Sequence, residues 1–287
     1  MSYKYKPLPI IDDHSIDIKA LRDKQMGILK EFIEVCRKLN LRYYLCAGTA
    51  LGAVRHKGYI PWDDDIDIMI PRSDYDIFLK EGDKYLSKNL FIQTYETDRD
   101  YRKPFGKIRD TNTCYVESAS QMLNINHGVY IDLFPIDGFP KDDKKEKKLM
   151  KADLMAQYVL TKGVYPYTFK EKLKHLLGVI YYGTGNHYKV LKKFDKKCKA
   201  YKYDDEEYTM IYFGGNGIDN KEPKSTFGKG YLAQFEDIKA ILPDETDKYL
   251  THIYGDYMTP PKEVDRVGHH YCVLFDPNKS YKELLKR

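Results

Sequence analysis

Asp65 and Asp67 alternate with Ile66 and Ile68 at the end of GTALGAVRHKGYIPWDDDIDI, residues 48–68. Side chains two apart on a strand share a face, so both carboxylates project together while the isoleucines enter a core. Strand geometry holds them roughly 6–7 Å apart, and like charges at that spacing repel unless something positive lies between them. A hard cation such as Mg²⁺ takes carboxylate oxygens and commonly binds substrate phosphates as well. The chain is therefore expected to fold around metal-dependent chemistry on a phosphate.

The residues upstream fit that expectation. A strand at Tyr43–Cys46 leads into Gly48-Thr49 and a short helix, and the amides of a helix N-terminus form a ready phosphate site. Gly48 lets the backbone approach closely, and Thr49 is expected to cap the helix and hydrogen-bond a phosphate oxygen. Alone, Gly-Thr before a helix is only a capped helix; the Asp-x-Asp strand that follows makes it specific. Asp63 shares the parity of Asp65 and Asp67, and either forms the turn after Pro61-Trp62 or sits beside the metal. Phosphoryl chemistry of this kind calls for a further carboxylate from a neighbouring strand. Asp132, in GVYIDLFPIDG, interrupts an apolar strand and must be paired or functional if buried. Asp137, between Pro135 and Gly138, reads as a turn residue. Arg55, His56 and Lys57 after the helix, and Lys107 and Arg109 alternating on FGKIRD, are candidates to steady a leaving diphosphate. Surface salt bridging is the alternative for all five, most of all for Lys57. His269-His270 either hold a substrate group or are structural.

The rest of the chain frames this segment. Ile18, Leu21, Ile28, Phe32, Val35 and Leu39 mark a helix over 16–39, with Gln25 in the one polar slot of the stripe and Asn40 as its stop. Ser73-x-x-Asp76 resembles a capping box opening a helix near 74–88. Strands are expected at 90–96, 105–110, 113–117 and 129–134. A charged, helix-prone section runs from 141 to about 202, broken near Gly163–Pro166 and Gly183–Asn186. Within it, KEKLKHLLGVIYY sets lysines beside a compact apolar patch. It either lies on a membrane as an interfacial helix or, the favoured expectation, packs its apolar side on the domain. A strand follows at 208–215, and a helix begins after Pro243-Asp244 and stops at Gly255.

Composition excludes several classes. The net charge of +5 is dispersed, without the basic stripe of a nucleic-acid binder, so nucleic acid is not an expected partner. Five cysteines, odd in number and without a C-x-x-C pair, argue against a disulfide scaffold or zinc site. The start MSYKYKPLPIIDDH lacks a signal-peptide apolar region and no run approaches about 18 apolar residues. A cytoplasmic protein is expected, at most peripheral at the inner face of the membrane.

These residues resemble the LicD family of bacterial choline-phosphate transferases, whose eukaryotic relatives include fukutin and fukutin-related protein. The resemblance rests on residues 48–68, KIRDTNT at 107–113, GVYIDLFPIDG at 128–138, YLTHIYGDYMTPP at 249–261 and RVGHH at 266–270. It implies an α+β fold of nucleotidyltransferase type, a mixed sheet flanked by helices with a helical insertion and a C-terminal helical region. Residues 1–140 would form the catalytic core, 141–207 a Lys-rich helical insertion and 208–287 a segment completing the substrate site. Asp65, Asp67 and Asp132 would bind Mg²⁺ or Mn²⁺; Gly48, Thr49, Arg55, Lys107, Arg109 and Trp62 would contact the donor. The implied reaction moves phosphocholine from CDP-choline to a sugar hydroxyl of a glycan or lipid-linked glycan acceptor, of teichoic-acid or lipopolysaccharide type. Transfer of ribitol, glycerol or sugar phosphate, or nucleotidyl transfer, are the alternatives. Trp62 and Tyr59 would wall a choline pocket by cation–π attraction, unless Trp62 merely anchors the turn.

Overall fold

A computed structural model describes residues 8–11, 16–141, 144–161, 168–212, 221–266, 268 and 270–285. Helix α1 (Ile18–Leu39) forms as its stripe dictates: Asp17 accepts from the Ala20 amide at its start, and Asn40, in the left-handed region, closes it. Leu21, Ile28, Leu29, Phe32 and Val35 on its inner face are buried. It packs across a mixed sheet built from β1 (Tyr44–Leu45), β2 (Asp67–Pro71), β3 (Leu90–Gln93), β4 (Gly106–Asp110) and β6 (Val129–Phe139). Their spatial order is β1-β2-β6-β4-β3, with β2 and β6 parallel and the other pairs antiparallel. Helix α2 (Ala47–His56) crosses from β1 to β2, and α3 (Arg72–Glu81) follows β2 directly.

Strand β5 (Cys114–Glu117) leaves this sheet and pairs with β11 (Cys272–Asp276). Helices α4 (Lys144–Thr161), α5 (Phe169–Tyr182) and α6 (His187–Cys198) follow β6. Next, β7 (Tyr208–Met210) pairs with the far end of β6 and with β8 (Lys221–Pro223). A hairpin of β9 (Tyr231–Phe235) and β10 (Ile238–Leu242), then α7 (Thr246–Tyr254), pack on α2 and β1, and α8 (Tyr281–Leu285) ends the described chain. The fold is α+β, as expected.

Several local expectations are corrected. Strand β2 begins at Asp67, so Asp65 precedes it rather than sharing its face. Ser73 does not cap α3, whose N-cap is Pro71; its hydroxyl instead meets Arg42 and Asp204, and the helix ends at Glu81. Strand β6 runs to Phe139, so Asp137 is no turn residue. It is fully buried and grips Arg72 through two hydrogen bonds of 2.6 and 2.7 Å, while Arg72 also reaches Asp195 on α6 at 3.1 Å. Pro135 lies within the strand, in parallel register with Ile70 on β2. Gly183 and Asn186 end α5 and cap α6 as expected; the strand expected over 208–215 ends at Met210, and the break at 163–166 and residues 213–215 lie outside the described residues. The β9–β10 hairpin was not anticipated.

A buried charge left without its partner is costly. Asp137→Ala is expected to lower unfolding stability by about 3–5 kcal/mol in urea denaturation, whereas the double change Arg72→Met/Asp137→Leu costs less. Equal losses would show that the pair contributes no more than packing.

Candidate active site

The acidic run lies in an irregular segment between α2 and β2, and α1 holds it by its backbone. The Arg22 guanidinium donates to the carbonyls of Ile60 (2.9 Å), Pro61 (2.9 Å) and Asp63 (2.7 Å). Gln25 Nε2 donates to the Asp64 carbonyl at 2.8 Å, and its Oε1 accepts from the Tyr59 hydroxyl at 3.1 Å. The polar slot in the α1 stripe thus has a purpose: a buried amide that fixes the loop carrying the carboxylates. Tyr59 is itself buried, with Arg22 stacked 4.7 Å from its ring. It is not available as a wall for choline.

Parallel pairing sets Asp67 directly beside Asp132, and the Asp132 amide extends the pairing by donating to the Ile66 carbonyl at 2.8 Å. Ligand atoms of Asp65, Asp132 and His270 lie within 4.8 Å of one another, as do those of Asp63, Asp64 and Asp65. Burial, then the neighbouring carboxylates, pushes Asp63 up to about 8 and raises Asp65 and Asp67 as well, with Asp67 well above the usual range. Cationic partners offset part of this. Lys107 Nζ sits 2.9 and 3.2 Å from the two Asp132 oxygens. His270 Nδ1 bonds Asp64 at 3.0 Å and its Nε2 lies 3.6 Å from Asp65. Burial works against charging that imidazole, but the Asp64 hydrogen bond and the Asp65 charge outweigh it and hold it at about 10. The Tyr115 hydroxyl donates to the other Asp64 oxygen at 2.9 Å.

The donor set suits a hard divalent cation. Apart from His270 its donors are carboxylate oxygens, burial penalises the charged forms of Asp63, Asp65 and Asp67, and Asp132 Oδ1 is buried with no hydrogen bond despite the nearby ammonium. Ligand atoms of Asp65 and Asp132 are close enough to share such an ion, whereas Asp67, paired in register with Asp132, lies outside both groups.

Gly48 and Thr49 lie in the first turn of α2, two and three residues beyond its N-cap Cys46. Ala47, with a positive φ, begins the helix. The Thr49 hydroxyl is buried and accepts from the Asp67 amide at 2.9 Å, so it ties α2 to the catalytic strand rather than capping the helix. A Cβ at Gly48 would lie 2.8 Å from Asp63 Oδ2. The missing side chain lets that carboxylate rest against the positive end of α2.

The remaining candidates divide. Arg55 donates to the Tyr257 carbonyl at 2.7 Å and to His56 at 2.9 Å; its guanidinium and that of Arg266 stand 6.0 and 5.2 Å from the Trp62 ring. Lys57 closes α2 and is exposed. Arg109 is fully buried among Gln93, the Gly128 carbonyl and Glu117, away from the carboxylate cluster. Lys107 and Arg109 do share a face: both contact the Tyr130 ring, at 3.3 and 4.6 Å, and both face Glu117. Burial disfavours the Glu117 charge, yet those two cations hold its carboxyl well below the usual range. His269 lies outside the described residues. Arg22, Asp64, Tyr115 and Glu117 were not singled out from sequence. Only Arg22 left a trace, being three residues from the anomalous Gln25 and so on the same side of the helix.

Residues 40–176 match the LicD/FKTN/FKRP nucleotidyltransferase domain. Over 265 residues, 88% of this chain and 96% of the relative, the sequence is 28% identical to the lipopolysaccharide cholinephosphotransferase LicD of Haemophilus influenzae. It is 49% identical over 47 residues to an uncharacterized protein of Rickettsia prowazekii, covering 16% of this chain and 18% of that one. The ribitol-5-phosphate transferase FKTN of Mus musculus is 26% identical over 101 residues, 35% of this chain and 20% of the mouse protein.

The folded state binds extra protons at this site, because Asp63 is raised from 3.8 to about 8 and His270 from 6.5 to about 10. The metal-free protein is therefore expected to lose stability as pH rises. The Asp63 penalty grows between its two values, and the His270 contribution, full below 6.5, fades through about 10. Mg²⁺ or Mn²⁺ near 100 times its Kd is expected to add about 2.7 kcal/mol, or about 5 °C in Tm for a chain of this size. The gain should be larger at pH 8 than at pH 5 and absent in Asp65→Asn; thermal melts with and without chelator measure it.

Proposed function

We propose that this chain, whose residues 40–176 match the LicD-family domain, is a metal-dependent phospho-alcohol transferase, from that match and the carboxylate geometry. Its reaction moves phosphocholine from CDP-choline to a sugar hydroxyl of a cell-surface glycan precursor. The observation that carries this is the register of β2 against β6. It puts Asp67 beside Asp132, with Asp65 on the same site and Lys107 bracing Asp132. The names of the H. influenzae and mouse relatives, one a cholinephosphotransferase and the other a ribitol-5-phosphate transferase, support the wider reaction class.

Asp65, Asp67 and Asp132 would hold Mg²⁺, which would neutralise the donor diphosphate. The first-turn amides of α2 at Gly48 and Thr49 receive a phosphate oxygen. The acceptor oxygen attacks the phosphorus that carries the alcohol; the bond from that phosphorus to the CMP oxygen breaks, and CMP leaves. A carboxylate of the cluster accepts the hydroxyl proton. Lys107 keeps Asp132 in place. Arg109, remote and fully engaged, acts by holding Glu117 and the strand rather than the donor.

Trp62 takes a different role from a choline wall. Two guanidinium groups face its ring, and they would repel a quaternary ammonium while favouring the anionic nucleotide end of the donor. Trp62→Ala is expected to weaken CDP and CDP-choline by the same factor in calorimetric titration; selective weakening of CDP-choline would restore the choline wall.

Incubation with CDP-choline, Mg²⁺ and a glycan acceptor is expected to release CMP only when acceptor is present. AMP attached to an acceptor from ATP would overturn the reading, and a preference for CDP-ribitol would confine it to another alcohol. Asp65→Ala is expected to cost at least about 100-fold in turnover with its far-ultraviolet dichroism unchanged. Lys107→Met, which removes the brace on a ligand, is expected to cost about 10–100-fold.

A further inference from the structure

Helix α5 packs with its apolar side facing away from the protein. Its buried residues are Gly178 and Tyr182. A Cβ on Gly178 would stand 3.1 Å from Leu160 on α4, and the Tyr182 hydroxyl donates to the Asp153 carbonyl at 3.3 Å. Gly178 thus sets a close helix–helix contact. On the opposite side Phe169, Leu173, Leu176, Leu177 and Ile180 fall at helical spacing into one stripe, and every one is exposed, from 50% for Leu173 to 84% for Phe169. This reverses the favoured expectation that the apolar patch of KEKLKHLLGVIYY covers the domain.

The flanks of the stripe are basic. At 100° per residue, Lys170 and Lys174 lie along one border and Lys172 along the other. All three are exposed, and none forms an ion pair with another described residue. The one acidic residue of the helix, Glu171, is turned back to the Thr168 capping box. An exposed apolar stripe bordered by free lysines is the pattern of a helix that lies in the plane of an anionic lipid surface. A protein partner would meet the same stripe, but the unpaired lysines on both borders favour a surface uniformly negative and wide enough to reach them all.

We propose that α5 seats this protein on an anionic lipid bilayer, with Phe169, Leu173, Leu176, Leu177 and Ile180 entering the acyl boundary and Lys170, Lys172 and Lys174 meeting the head groups. The placement deepens the transferase reading, on which its purpose rests. Helix α4, directly behind α5, contributes Tyr158 and Thr161 to a cavity of about 120 Å³ shared with Lys107, Arg109 and Glu117. A bilayer under α5 therefore lies one helix away from the brace on Asp132, where a lipid-linked acceptor would be delivered.

Flotation of the full chain with phosphatidylcholine vesicles, with and without phosphatidylglycerol, tests this. The protein is expected to float with the anionic vesicles. Leu176→Ser/Ile180→Ser should lower the bound fraction about tenfold, and Lys170→Glu/Lys174→Glu should lower it on anionic vesicles only. Both changes sit at exposed positions, and circular dichroism checks that the fold is kept. Absence of flotation, or flotation indifferent to both variants, would overturn the proposal. So would a dimer in analytical ultracentrifugation that the Leu176→Ser/Ile180→Ser protein no longer forms, since the stripe would then be a contact between copies. CMP release onto a soluble acceptor fragment is expected to be unchanged in both variants, so failure of membrane docking and failure of the transferase reading give different results.

Discussion

Parallel pairing of β2 with β6 forces like charges together, and the surrounding structure is arranged around that conflict. Two charged carboxylates within 4.8 Å of each other, as those of Asp65 and Asp132 are, repel by at least about 3 kcal/mol at an effective dielectric of about 20. That is a large part of the roughly 5–15 kcal/mol by which a domain is stable. The backbone cannot relax the repulsion, because Arg22 and Gln25 fix the carbonyls of the acidic loop and the sheet fixes Asp132. Relief has to come from positive charge: Lys107 on Asp132, His270 between Asp64 and Asp65, and the N-terminus of α2 beside Asp63. Within the cluster, Asp132 Oδ1 is still left buried without a hydrogen bond.

The cations of the fold consequently divide by what they touch. Lys107 meets the reacting cluster and, through Glu117 and the Tyr130 face, the cavity beside it. Arg109, two residues along the same strand, is turned into backbone and amide partners and stabilises the sheet. Arg72 does similar work at the other end of β6, where its contacts with Asp137 and Asp195 tie the helical region to the strand that carries Asp132. The helices after β6 are thus coupled to the catalytic strand, and one of them presents the apolar stripe that we assign to the lipid surface.

The acidic strand, the Gly-Thr helix and the α1 stripe were legible in sequence because each depends on short-range periodicity. Asp132 was legible for the same reason, as one charge in an apolar run. The errors arise where long-range partners decide. Asp137 beside Gly138 has the local signature of a turn, and only Arg72, 65 residues away, lets it stay inside a strand. Tyr115 and Glu117 come to the site on β5, whose pairing with β11 no local pattern announces. Trp62 looked like a cation-binding wall by proximity, until Arg266 from the far end of the chain was found facing it. The direction in which α5 faces is equally unreadable from its own residues, since an amphipathic pattern fixes the stripe but not what covers it.

The central claim is that β2 and β6 build one metal site from Asp65, Asp67 and Asp132. Crystals grown with Mn²⁺ and CDP, measured at the manganese absorption edge, test it most directly. The account predicts an anomalous peak bonded to oxygens of those three carboxylates and to the nucleotide phosphate. A peak held by Asp63 and Asp64 without Asp132, or none at the cluster while CDP is bound, would contradict it.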